Sequence, residues 1–158
     1  MIDLITSAAG DSPIVVEALF PATPERLFAA WTNADDLRRW FGTDPGMTKD
    51  VVLDLRVGGS WQIHLHTSEH EQEVLSGEYT EISPHHRLAF SWAHVVTRRD
   101  GQSMRTPPSH VTVTLEPAGK ATRMRLEHRE IQSEGARLGV RAGWMTSFTT
   151  LNGTLDGE

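Results

Sequence analysis

The sequence contains no cysteine, which rules out a disulfide framework, a thiol nucleophile and cysteine-bound zinc, and it bears no mark of an oxidising compartment. Cations are short as well: 15 Lys and Arg stand against 21 Asp and Glu, a formal charge of −6. Neutralising phosphates takes a surplus of Lys and Arg, so the composition argues against a nucleic-acid binder and disfavours an anionic membrane surface. No stretch approaches the ~20 apolar residues that span a bilayer. The opening MIDLITSAAGDS has an acid at Asp3 and no basic region, which makes it a poor secretory signal, and residues 1–12 read as a loose leader. The expectation is a soluble, cytoplasmic chain with no membrane insertion. Repeats and low-complexity tracts are absent, as are G-x-S-x-G, a phosphate loop, a dinucleotide fingerprint and H-E-x-x-H. Nothing in the sequence requires catalysis.

What is there is an ordinary globular composition, 38% hydrophobic and 23% charged over 158 residues. A chain of that size buries roughly 68–70% of its unfolded surface, so residues 13–158 are expected to form one domain. The run 13–20, PIVVEALF, is apolar and β-branched and reads as a strand. Thr23-Pro24 then supplies an N-cap followed by proline at the first helical position. Leu27, Phe28 and Trp31 share one helical face, and a second short helix groups Leu37, Trp40 and Phe41. From residue 50 the period changes to two, predicting strands at 51–56, 60–67, 72–82, 87–95, 110–117 and 121–130. The polar stretch 98–109 reads as a loop. Gly58-Gly59 reads as a tight connection between strands, and Pro84-His85-His86 as another turn. At the end, Trp144, Phe148, Leu151 and Leu155 recur at helical spacing. The fold class is therefore α+β: an antiparallel sheet of six to seven strands, two short helices after the first strand, and a long C-terminal helix against the covered face.

Several motifs run along this order: P-x-x-L-F-x-A-W-T at 24–32, L-R-R-W-F at 37–41, D-L-R-V-G-G-S-W at 54–61, G-E-Y-T-E-I-S-P-x-x-R-L-x-F-S-W at 77–92, V-T-V-T-L-E-P at 111–117 and G-W-x-x-x-F-x-x-L at 143–151. Jointly they resemble the START/polyketide cyclase-like (SRPBCC) superfamily with its helix-grip fold, in the branch named after the C-terminal domain of the heat shock protein 90 ATPase activator. The resemblance implies a sheet gripping the last helix and a cavity between them for a small hydrophobic or aromatic molecule; no cofactor is expected. It supplies no universal catalytic set.

Strand phase selects the pocket candidates. Trp61 and Ile63 from 60–67, Phe90, Trp92 and His94 from 87–95, Val113 from 110–117, and Met124, Leu126 and His128 from 121–130 face inward by alternation. Trp144 and Phe148 on the last helix and Trp40 on the second short helix complete the set. His94 and His128 need partners on such a face, and a substrate bridging them would meet two acid-base groups; hydrogen bonds to neighbours are the simpler reading. His64, His66 and His70 read as solvated, with a metal site the lesser alternative. Gly135, Gly139 and Gly143 either open a portal beside the helix or mark an irregular entry into it. Three functions follow: binding of a small hydrophobic ligand, a cyclase- or hydrolase-type enzyme using His94 and His128, or a chaperone-interaction protein. A homodimer is compatible with all three.

Overall fold

In the computed structural model, which describes residues 2–42, 47–66 and 69–158, the chain forms a nine-stranded antiparallel sheet and three helices. The strands are β1 (Ile5–Thr6), β2 (Ile14–Phe20), β3 (Thr48–Leu53), β4 (Ser60–Leu65), β5 (Glu71–Ser83), β6 (Arg87–Arg98), β7 (Ser103–Arg105), β8 (Ser109–Ala118) and β9 (Ala121–Arg129). Their order is β1-β2-β9-β8-β6-β5-β4-β3, with β7 paired to β6. Helices α1 (Pro24–Thr32) and α2 (Ala34–Trp40) follow β2, and α3 (Glu134–Asp156) ends the chain.

Each element forms for local reasons. In β2, Ile14, Val16, Ala18 and Phe20 are buried while Val15, Glu17 and Leu19 turn outward, the alternation of a sheet wet on one side. The Thr23 hydroxyl accepts from the Arg26 amide ahead of Pro24. Asn33 ends α1 and starts α2, its Oδ1 accepting from the amides of Asp35 and Asp36. Arg26 clamps the corner, reaching Asp36 at 2.9 Å and Glu158, beyond the end of α3, at 2.6 Å. Burial pushes the Asp36 carboxyl up, but hydrogen bonds from Arg26 and Arg39 outweigh it and hold that carboxyl below its ordinary range. Glycine is required at two close approaches. A Cβ on Gly59 would sit 2.1 Å from the Asp54 carbonyl, and one on Gly77 would sit 1.9 Å from the Ser91 carbonyl and 2.7 Å from the Trp61 indole nitrogen.

Three details differ from expectation. The sheet has more strands than six or seven, because Ile5–Thr6 of the expected leader pair with Val16 and Glu17, and Ser103–Arg105 of the expected loop pair with Val95–Thr97. The leader is also held from α3, where the Arg137 and Arg141 guanidiniums donate to the Gly10 and Ser7 carbonyls. The strand expected at 51–56 instead occupies Thr48–Leu53, since the chain turns through Asp54–Gly59, with Gly58 at φ +84°. The end of the strand expected at 60–67 falls on residue 67, outside the described residues. Helix α3 is continuous from Glu134 through all three glycines, capped by the Ser133 hydroxyl on the Ala136 amide, so there is no irregular entry near Arg141.

Core packing follows from these faces. Val16 and Phe20 of β2, Val111 and Val113 of β8, and Met124 and Leu126 of β9 are each at most 1% exposed, and Phe148 and Leu151 of α3 close over them.

Candidate functional site

The other end of the concave face is built differently. Here the floor comes from β4, β5 and β6, whose registers pair Ile63 with Leu75, Leu65 with Glu73, and Leu75 with His94. Cross-strand partners in antiparallel strands project to the same side, so Trp61, Ile63, Leu65, Glu73, Leu75, Trp92 and His94 share one face. Above it lie α3 and the end of α2. Two apolar spaces remain between these layers. An inner void of ≈ 20 Å³ lies among Trp31, Leu37, Trp61, Tyr79, Phe90 and neighbouring rings, and a void of that size holds about one water. A groove of ≈ 120 Å³ lies among Leu65, Leu75, Met47, Val140, Gly143 and Ser147. Phe41, Trp92 and Trp144 line both spaces. Their centroids are 5.3 Å apart for Trp92 and Trp144, 5.7 Å for Phe41 and Trp144, and 6.1 Å for Phe41 and Trp92. These edge and tilted contacts stabilise the cluster without covalent constraint.

Trp144 is further fixed by His128. Its indole N–H donates to His128 Nδ1 at 3.1 Å, and His128 Nε2 lies 2.7 Å from the Ser109 hydroxyl. An indole nitrogen can only donate, so Nδ1 is the acceptor and the ring proton sits on Nε2, where it is given to Ser109; that hydroxyl points on to the Trp92 carbonyl at 3.4 Å. Burial, with a smaller contribution from the nearby His110, pushes the His128 imidazole down to about 3. His128 is therefore a neutral, 1% exposed bracket joining sheet and helix, with both nitrogens occupied.

His94 has the opposite setting. It is half-buried, and its Nε2 meets Glu73 Oε1 at 2.8 Å. The two histidines share the concave face, but among the described residues neither ring lines the void or the groove. Acid-base action by both on one substrate is not supported by this arrangement, because His128 is sealed, neutral and already bonded on each side.

The other sequence-selected side chains divide into two groups. Trp61, Ile63, Phe90, Trp92 and Trp144 line the inner void. Trp40, Val113, Met124, Leu126 and Phe148 are buried without bordering either space; Trp40 donates to the Ala30 carbonyl and Met124 accepts from the Trp31 indole through sulfur. Leu65 continues the inward phase of Trp61 and Ile63 and borders the groove without belonging to the expected set. Leu75 and Glu73 lie outside the expected set because the strand over 72–82 offers no clean alternation, and Val140 because the helical spacing is clean only from Trp144 onward; of the three glycines expected at a portal, Gly143 borders the groove. His64, His66 and His70 border a polar cleft of ≈ 630 Å³. Among the described residues, no three or more metal-ligating side chains gather in a way that would hold an ion, and no helix is long and apolar enough to cross a membrane.

Comparison with known proteins bears on both fold and kinship. The family described as "Activator of Hsp90 ATPase homolog 1-like protein" matches residues 21–156. No curated protein matches the chain. Among solved structures, the AHSA1 protein of Silicibacter pomeroyi is 28% identical with a TM-score of 0.73, over 92% of this chain and 98% of that one. A protein of Arthrobacter aurescens gives a TM-score of 0.75 at 21% identity over 100% and 92% of the two chains. CalU16 of Micromonospora echinospora gives 0.62 at 23% over 96% and 82%; these last two likenesses concern the fold alone.

Proposed function

Since this chain belongs to the activator of Hsp90 ATPase homolog 1-like family, with the helix-grip architecture of the wider START-like superfamily, we propose that it binds a small hydrophobic or aromatic molecule between the sheet and α3. The observation that carries this reading is the pair of apolar spaces that share the Phe41, Trp92 and Trp144 rings as lining. The ≈ 120 Å³ groove is smaller than the ~300–1,000 Å³ usual for ligand pockets. A bicyclic ligand therefore has to displace at least one shared ring and merge the two spaces. Rings in edge and tilted contact gain only about 0.5–1.5 kcal/mol each beyond their burial, and Phe41 and Trp92 are the more movable, since Trp144 is also hydrogen-bonded to His128. An enzyme reading that relies on His94 and His128 finds no shared cavity to support it.

The test is a titration of isotope-labelled protein with 2-methoxynaphthalene, followed through the indole N–H signals of the five tryptophans and the methyls of Leu65, Leu75 and Val140. Saturable shifts centred on Trp92, Trp144 and those methyls are expected. The Val140→Trp variant, which fills the groove from a half-buried helix position, should keep the wild-type spectrum elsewhere and lose the shifts. Shifts scattered over the convex face, or none, would overturn the reading and turn attention to a protein-binding surface.

A further inference from the structure

The apolar groove does not end in apolar surface. Its floor passes directly into the Glu73–His94 pair: Glu73 is the cross-strand partner of Leu65, and His94 that of Leu75, and both leucines line the groove. His94 is also two residues beyond Trp92 on the same face of β6. The side chains of His94 and Glu73 are 34% and 18% exposed, so the pair stands at the rim, wet on one side. Leu65 borders both the groove and the polar cleft, and Glu73 borders that cleft. The groove and the cleft thus meet at Leu65, apolar toward α3 and polar toward the end of the sheet.

What the rim offers is a hydrogen-bond acceptor. An ionised carboxylate accepts and does not donate. One Glu73 oxygen takes the His94 ring N–H at 2.8 Å, while Oε2 has no hydrogen bond among the described residues. The bond from His94 fixes the carboxylate's orientation without using its capacity. We infer that the ligand of the groove is amphipathic, an aromatic or alicyclic body carrying a hydroxyl group, with the body against Leu65, Leu75 and Trp92 and the hydroxyl donated to Glu73 Oε2, Glu73 being held in place by His94. A ligand with an anionic end is disfavoured, because its charge would face a carboxylate that is already fixed in position.

This inference rests on the groove reading, and the experiment separates the two. 2-Naphthol and 2-methoxynaphthalene share a ring system, and only the first can donate. Isothermal titration of wild type should give 2-naphthol an affinity about tenfold or more above that of the ether, the scale of a hydrogen bond to a charged acceptor. Glu73→Leu should remove the preference by weakening the naphthol while leaving ether binding within about threefold, and Val140→Trp should abolish both. Retention of the tenfold preference in Glu73→Leu, or equal binding of both probes to wild type, overturns the hydroxyl assignment and leaves the groove standing. Binding of neither probe to folded wild-type protein overturns the groove, and the assignment with it. His94→Ala is the positioning control: an intermediate preference, recovered in part by His94→Gln, is expected.

Discussion

The two ends of the concave face are made from the same materials and finished differently. Toward the C-terminal half of α3, Phe148 and Leu151 close on Val16, Phe20, Leu126 and Val113 with exposures of 0–1%. Toward its N-terminal half, three aromatic rings are shared between two spaces and the floor runs out to the hydrogen-bonded Glu73–His94 pair. The histidines mark the contrast. On β9, His128 has every polar atom satisfied, and its ring is kept neutral by burial; on β6, His94 shares its partner with solvent. One end thus spends its apolar area on stability, and the other leaves part of it bordering open space.

The largest effect that would sharpen this contrast is at the packed end. Phe148→Ala removes a fully buried ring that meets Phe20 edge-on at 5.6 Å, and guanidinium unfolding should show a loss of about 3–5 kcal/mol. Next is the sealed histidine. Its folded-state value of about 3 lies below the usual value near 6.5, so between those two pH values the unfolded chain binds a proton that the native ring refuses. Its contribution is fully present above pH 6.5 and declines as the pH falls toward 3, by up to about 1.4 kcal/mol per unit. In His128→Gln, stability measured from pH 7 to 4 should decline less steeply than in wild type. Parallel curves would mean that the native His128 ring takes up its proton as readily as the unfolded one and that the two ends are less unlike than described.

The sequence made the packed end legible because there the period-two and helical patterns are clean: Val113, Met124, Leu126 and Phe148 are all fully buried. The distal end was legible only in part. Trp61, Phe90 and Trp92 announce themselves by size and phase, but the groove wall depends on Leu75 and Glu73 in β5, whose mixed sequence EQEVLSGEYTEIS hides the alternation, and on Val140, in a helix start punctuated by glycines. The role of His128 was hidden for another reason. Phase put it inside, while the Trp144 indole and Ser109 hydroxyl that occupy its nitrogens come from elements 16 and 19 residues away, a meeting that only the register of β8 with β9 and the seating of α3 create. The two extra strands escaped because two- and three-residue edges carry too few side chains to establish a period.

The smallest effect tests the open end directly. Leu65 is half-buried at the end of β4, and one side of it faces the groove rather than packed atoms. A side chain beside a void already lacks dispersion partners on that side, and its truncation enlarges an open space instead of creating a closed cavity. Leu65→Ala should therefore cost about 1 kcal/mol, against 2–5 for a fully enclosed leucine, with the denaturant slope unchanged. The same change should weaken 2-methoxynaphthalene binding several-fold by removing part of the floor, so stability and affinity should move in unequal proportion. A loss equal to that of Phe148→Ala would mean that the groove is closed around Leu65 in solution and that both ends are packed alike.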